Sequence, residues 1–123
     1  MFERNHMQDL ERELGFLYPP SFLRRIEELN AVSRTSRFAR VMPGARLLLS
    51  KADMQMVPGD FLPGELIPFL AERQPQHVDY YAFDTSTNSP EFRVVVFAVH
   101  TVVAEWDNFD SFYAWLTAKV SES

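Results

Sequence analysis

The segment 93–99, RVVVFAV, is the feature of this sequence that most constrains the fold. Successive side chains of a strand point to opposite faces of a sheet, and here both alternating sets are almost entirely apolar. Such a strand has to be covered by protein on both sides, as in the middle of a sheet. We therefore predict a central strand over residues 93–99, followed by a tight turn near His100.

Helical patterns lie on either side of the strand-rich part. Met7, Leu10 and Leu14 recur at helical spacing, which predicts a first helix over residues 5–14. Gly15 then stands where a left-handed C-terminal cap would need it. Proline is preorganised for a first helical turn, so Pro20 predicts the start of a second helix that runs to about residue 30.

A third helical pattern closes the sequence. Asp107 or Asn108 can cap it, because a short polar side chain accepts a hydrogen bond from a free N–H of the first turn. Its apolar stripe, which should face the core, consists of Phe109, Phe112, Tyr113, Leu116 and Val120.

Strands and loops fill the middle of the sequence. The predicted strands cover residues 46–50, 66–70, 78–84, 93–99 and 101–106. Residues 31–45 are predicted to be a loop with short ordered pieces, 51–65 to be irregular because of Pro58-Gly59 and Pro63-Gly64, and 71–76 to be a polar loop. Pro68 should place its strand at an edge or in a bulge. Two helices, then strands, then a helix predict an α+β fold with a mainly antiparallel sheet of four to six strands.

Composition narrows the class of protein. With 123 residues, 46% apolar and 14% aromatic, the sequence fits one domain over residues 1–123. There is no Cys, which excludes disulfides and thiolate metal sites. No apolar run approaches the ~20 residues of a membrane span, and the charged N-terminus lacks the apolar segment of a signal peptide. These features predict a soluble, cytoplasmic protein.

Charge is unevenly distributed along the sequence. Residues 24–51 carry 7 basic and 2 acidic side chains, whereas residues 52–123 carry 11 acidic and 3 basic ones, and the net charge is −5. Overall acidity argues against nucleic acid as the main partner. The basic cluster of Arg34, Arg37, Arg40 and Arg46 is predicted to be solvated and to pair with acids elsewhere, with phosphate binding as the alternative.

Catalytic and metal-binding patterns are missing from the sequence. His6, His77 and His100 lack metal-ligand spacing, and there is no phosphate-binding glycine loop or GxSxG motif. Asp79 and Asp84 are five residues apart on one predicted strand, so they should point to opposite faces. We interpret Asp84 as a turn residue; a hydrolase that pairs it with His77 or His100 is a minor alternative. No cofactor is predicted.

The succession of motifs resembles that of the SUKH superfamily, the Smi/Knr-type domains. LERELGFLYPPSFLRRIEELN is similar to the opening of those domains, in which E-x-x-L-G leads to L-P, an aromatic residue, F-L and Asn. LIPFLAERQPQHVDYYAFD resembles their middle segment, and RVVVFAVH with AEWDNFDSFYAWL resembles their last hairpin and closing helix. The family commonly has Gly-Gly after the Asn, whereas Ala31-Val32 follows Asn30 here.

The resemblance implies a single α+β domain that binds a protein partner and carries out no catalysis. Domains of this type occur in a yeast cell-wall-synthesis regulator and in many bacterial immunity proteins. The resemblance therefore implies an immunity protein that neutralises a cognate polymorphic toxin, such as a nuclease, by covering it. The alternative is a cytoplasmic regulatory or scaffolding module with no link to a toxin.

A candidate partner-binding surface follows from the acidic second half of the sequence. These acids lie at strand positions or strand ends, where a twisted sheet and its rim could bring them together. Aromatic anchors such as Tyr80 or Tyr81 would supply the affinity. The alternative is that these acids only keep the protein soluble. The candidate partner-binding residues are Asp79, Tyr80, Tyr81, Asp84, Glu91, Glu105 and Asp107.

Overall fold

A computed structural model describes residues 4–55, 57, 62–87 and 90–122, and of residues 4–6 it describes the backbone. The helices are α1 (Arg4–Leu14), α2 (Pro20–Val32), α3 (Ser36–Val41), α4 (Lys51–Gln55) and α5 (Phe109–Glu122). The strands are β1 (Ala45–Leu47), β2 (Leu66–Arg73), β3 (Val78–Asp84), β4 (Arg93–Ala98) and β5 (Thr101–Trp106). The predicted α+β class is confirmed.

The five strands form one antiparallel sheet in chain order, β1-β2-β3-β4-β5. β4 lies between β3 and β5, and all of its residues after Arg93 are buried. The predicted central strand is thus confirmed, except that it ends at Ala98. Val99 and His100 form a two-residue turn, with φ of 49° and 66° respectively. A β-branched residue such as Val99 rarely adopts a positive φ, so this turn is strained.

β2 is an inner strand with an irregularity at Pro68. It pairs with β1 on one side and β3 on the other, and its register against β3 shifts between Pro68 and Leu70. The predicted bulge is confirmed, since proline has no N–H to give to a ladder. The polar loop predicted from residue 71 is wrong at its start, because β2 continues to Arg73, paired with β1 up to Glu72 and with β3 up to Arg73.

Two short helices occur where the sequence predicted loops. In α3, which is one of the ordered pieces expected within 31–45, the Thr35 hydroxyl caps the N-terminus by accepting from the Phe38 N–H. In α4, the Ser50 hydroxyl accepts from the Asp53 N–H, so the start of the segment predicted to be irregular is helical. Pro58-Gly59 lies outside the described residues.

The helices cover one face of the sheet. Phe22 of α2 packs on Phe69 and Phe83 of the sheet and on Phe109 of α5, with ring centroids 5.1–5.6 Å apart. Gly15 ends α1 at φ 64°, as predicted. The opposite face, which we call the far face, buries Leu66, Ala82, Val95 and Phe97, and Leu62 packs against them. None of the helices in the described ranges has both the length and the hydropathy required to cross a membrane.

Candidate functional site

The seven candidate partner-binding residues do not share one surface. Alternation along β3 directs Asp79 and Tyr81 to the helix-covered face and Tyr80 and Asp84 to the far face. Glu91 lies before β4 and contacts Ser21 in the first turn of α2. Among the candidate carboxylates, only two are exposed: Glu105, near the end of β5, and Asp107, just after it.

Tyr81 belongs to the core. Its ring packs against Phe112 at 5.6 Å and Trp106 at 6.3 Å, and it is buried. Burial raises the pKa of the Tyr81 hydroxyl, and the charge of Glu72 raises it further. The hydroxyl therefore stays protonated and bonds to the Glu72 carboxyl. Tyr81 therefore does not offer its ring to a partner, and Tyr80, on the far face, is buried as well, at 6% exposed. Both observations correct the prediction that these tyrosines act as anchors for a partner.

Asp79 is part of a polar cluster at the end of the β2–β3 hairpin. Its Oδ1 lies 2.9 Å from His77 Nε2, and its Oδ2 accepts from Gln74 Nε2 at 3.2 Å. Glu72, its register partner on β2, is buried. Burial raises the pKa of Glu72, and the nearby Asp79 carboxylate raises it further, whereas the Tyr81 hydrogen bond acts in the opposite direction. The described residues contain no group of three His, Cys, Asp or Glu side chains placed to hold a metal ion.

Replacing Glu72 with glutamine is expected to raise the free energy of unfolding at pH 7, by on the order of 1 kcal/mol. Because the Glu72 pKa is raised in the folded protein, ionisation costs more there than in the unfolded chain. The penalty grows as pH rises above the ordinary value of 4.5 and is absent below it. Urea unfolding at pH 7 and at pH values below 4.5 measures the gain and its loss. Glu65→Gln, an exposed carboxylate just before β2, is the control; a Glu72→Gln variant less stable than the parent at pH 7 would contradict the expectation.

Asp84 and Glu105 bind the same guanidinium on the far face. Arg93 Nη2 lies 2.6 Å from Asp84 Oδ2, and Arg93 Nη1 bonds to Glu105. Asp84 is only 4% exposed and also accepts from the Ser86 N–H and hydroxyl. Burial by itself would raise the pKa of Asp84, but the hydrogen bonds from Ser86 and Arg93 outweigh it and hold the pKa below its ordinary value. Asp84 is therefore a structural anion, and Glu105 is the exposed end of the network.

Glu91 caps α2 from a distance. The N-cap residue of this helix, Pro19, has no side chain that can accept a hydrogen bond from the first turn. Glu91 takes that role, because its carboxylate accepts from the Ser21 N–H at 3.1 Å and from the Ser21 hydroxyl. An anion at a helix N-terminus is also favoured by the helix dipole. Glu91 thus links the segment before β4 to α2. This contact within the chain explains its position, and no partner protein is needed to explain it.

The exposed charges differ between the two edges of the sheet. At the β5 edge, Glu105 and Asp107 are exposed. At the β1 edge, Arg46 is exposed and lies 2.6 Å from Asp53, so the predicted pairing of the arginine cluster with acids is confirmed for this residue. Arg37 and Arg40 are exposed on α3, which leads into β1. We call the exposed carboxylates at the β5 edge, Glu105 (which is bonded to Arg93) and Asp107, the acidic edge of the sheet.

A groove of about 760 Å³ lies apart from these residues, between α1 and the start of α4. Its charged side chains pair with one another across short distances: Arg12 with Asp9 at 2.7 Å and Lys51 with Glu13 at 3.2 Å. None of the seven candidate partner-binding residues is among the residues that line this groove.

No protein-family model, curated protein or solved structure matches this chain. The similarity to SUKH domains stays a prediction, as does a partner-binding role for the exposed Glu105 and Asp107.

Sequence reasoning missed two residues that organise the site. Glu72 lies in the polar run AERQPQ, which predicts a loop, and its buried position follows only from the pairing of β2 with β1 and β3. For Arg93 the sequence predicts only the first position of a strand. Its position opposite Asp84 and near Glu105 depends on the register of three strands, which no local pattern reveals.

Proposed function

We propose that this chain is a non-catalytic protein-binding domain of the cytoplasm, an immunity protein that neutralises a cognate toxin by direct binding. The observation that carries the proposal is the acidic edge of the sheet, with exposed Glu105 and Asp107. The motif succession shared with SUKH domains supports the same function.

The acidic edge has the chemistry that an inhibitor of a nuclease needs. A nuclease holds phosphate groups and is therefore cationic around its active site, so an anionic inhibitor is attracted to it. Trp106 is half-buried between Glu105 and Asp107, against Trp115 at 5.1 Å. Trp is enriched in protein-binding hot spots, so the exposed part of the Trp106 ring could supply contact area. The carboxylates next to it in the sequence would guide association.

The experiment starts from co-expression with the protein encoded immediately upstream. We expect a complex that co-purifies, and cells that survive the upstream protein only when this chain is present. Absence of both the complex and the protection would contradict the immunity function and favour the regulatory or scaffolding alternative.

Charge reversal then tests the acidic edge. Asp84 is unsuitable for this purpose, because a lysine in its buried position would break the fold. Asp107→Lys should slow association at low salt and flatten its salt dependence, since both depend on long-range attraction. Glu27→Lys, an equally exposed reversal on α2, should leave both unchanged. Stopped-flow rates at two ionic strengths compare the variants, and equal rates would show that another surface binds.

A further inference from the structure

The arginines on and just before α3 have no part in the proposed function. They belong to residues 29–52, the longest stretch of the sequence without Asp or Glu. Arg34 directly precedes the N-cap residue Thr35, and Arg37 and Arg40 lie three residues apart on α3, where such residues are neighbours. All three are exposed. We call Arg34, Arg37 and Arg40 the arginine surface.

Two members of the arginine surface lack the acidic partners that the sequence predicted for them. No Asp or Glu in the described part of the chain forms an ion pair with Arg34 or Arg40. Arg46, which does pair with Asp53, is left out of the surface for that reason. The positive charges of Arg34 and Arg40 are therefore not neutralised by a neighbouring carboxylate.

The side chains around these arginines indicate which ligand fits. Within residues 33–44 the other exposed residues are small or carry a hydroxyl group: Thr35, Ser36, Ala39, Pro43 and Gly44. A protein-binding surface depends on large apolar or aromatic anchors, and a single-strand binder depends on aromatic rings that stack on bases. Neither kind of side chain is exposed in this range. Guanidinium and hydroxyl donors without such anchors are suited to phosphate oxygens.

We propose that the arginine surface binds the phosphate backbone of a double-stranded nucleic acid without reading its sequence. A duplex carries one negative charge per about 1.7 Å of its axis, so a short row of cations meets several phosphates at once. Arg34 and Arg40 donate hydrogen bonds to phosphate oxygens, and the exposed Ser36 is a further donor in the same segment. Nucleic acid is then a second ligand, and its binding does not depend on the proposed toxin.

The acidity of the rest of the chain does not prevent this binding at physiological salt. α3 leads into β1, and β5 with the acidic edge is four strands away. Neighbouring strands are about 4.8 Å apart, so roughly 19 Å separate the two edges. The Debye length at physiological ionic strength is about 8 Å. Repulsion between the phosphates and the acidic edge is therefore largely screened, whereas the arginine surface contacts the phosphates directly.

Fluorescence anisotropy of labelled duplex RNA and duplex DNA, titrated with the full chain, tests the proposal. Arg34→Gln combined with Arg40→Gln should weaken binding by roughly tenfold or more at low salt. The slope of log K against log salt should become smaller by about 2, because each lost phosphate contact removes about 0.9. Arg12→Gln combined with Arg24→Gln is the matched control. It removes the same charge from exposed side chains that pair with acids, and should bind within about twofold of the parent.

The outcomes separate nucleic acid from other polyanions. Circular dichroism first verifies that both double variants keep the fold of the parent. Binding of either duplex supports the proposal, and the comparison of the two shows which nucleic acid is the ligand. Absence of binding at about 50 mM salt, or equal weakening in both double variants, would overturn it. A polyglutamate peptide that displaces the duplex at equal concentration of charge would also overturn it, in favour of an acidic protein.

Discussion

Truncation of Phe112 to alanine is expected to lower the free energy of unfolding by about 3–5 kcal/mol. Phe112 is fully buried at the junction of α5 and the sheet. Its ring lies 5.5 Å from that of Phe69 and 5.1 Å from that of Trp106, so the variant leaves a cavity that several rigid rings cannot fill. The loss is a large part of the stability of a small domain. Chemical denaturation, followed by tryptophan fluorescence and by circular dichroism, measures it.

Leu17→Ala is the control for this prediction. Leu17 is also a large apolar residue, but it is 76% exposed, so its truncation should change the free energy of unfolding by less than about 0.5 kcal/mol. Equal stabilities of the two variants would show that α5 does not pack as described.

Asp84→Ala is expected to lower the free energy of unfolding at pH 7 by about 1.5–3 kcal/mol, because it removes the acceptor of three hydrogen bonds and leaves Arg93 with only its exposed partner. The Asp84 pKa is lower in the folded protein than its ordinary value of 3.8. Its ionised form therefore stabilises the fold fully at pH values above that ordinary pKa. The stabilisation is lost as pH falls through the lower, folded value. Parent and variant should thus converge in strong acid.

Glu105→Ala separates the two ends of the same network. Glu105 also bonds to Arg93, but its side chain is 56% exposed, so water replaces the lost contact. We expect a loss of less than about 1 kcal/mol at pH 7. Urea unfolding of both variants from pH 7 down to pH 3 makes the comparison. Equal losses would mean that Asp84 is more accessible to water than its contacts indicate.

Local sequence patterns were sufficient to predict the helices and strands whose apolar residues recur at a clear period. The bounds of β3 and β5 are as predicted, and α5 buries Phe109, Phe112, Tyr113 and Leu116 of the predicted stripe. Asn108, one of the two predicted caps, accepts from the Ser111 N–H at 2.9 Å. These features depend on neighbours within a few residues, which is the range that a sequence pattern reports.

The contacts of the candidate residues could not be predicted, because they join residues that are far apart in the sequence. Alternation predicted that Asp79 and Asp84 face opposite sides, which is confirmed, but it could not say that the helices cover the side of Tyr81. Glu91 was predicted to be a surface acid because its partner, Ser21, lies 70 residues away. Contacts between distant parts of the chain thus give a structural role to several residues that were predicted to lie on the surface.

The order of the strands bears on how the chain acquires its structure during synthesis. Each strand pairs with the next one along the chain, so the sheet can extend hairpin by hairpin as residues leave the ribosome. α5 follows all five strands, and it carries Phe109 and Phe112, which fill the space between α2 and the sheet. Until α5 is added, the part of the aromatic face that Phe109 and Phe112 fill therefore stays exposed to water. During that interval the chain is most vulnerable to aggregation and most in need of chaperones.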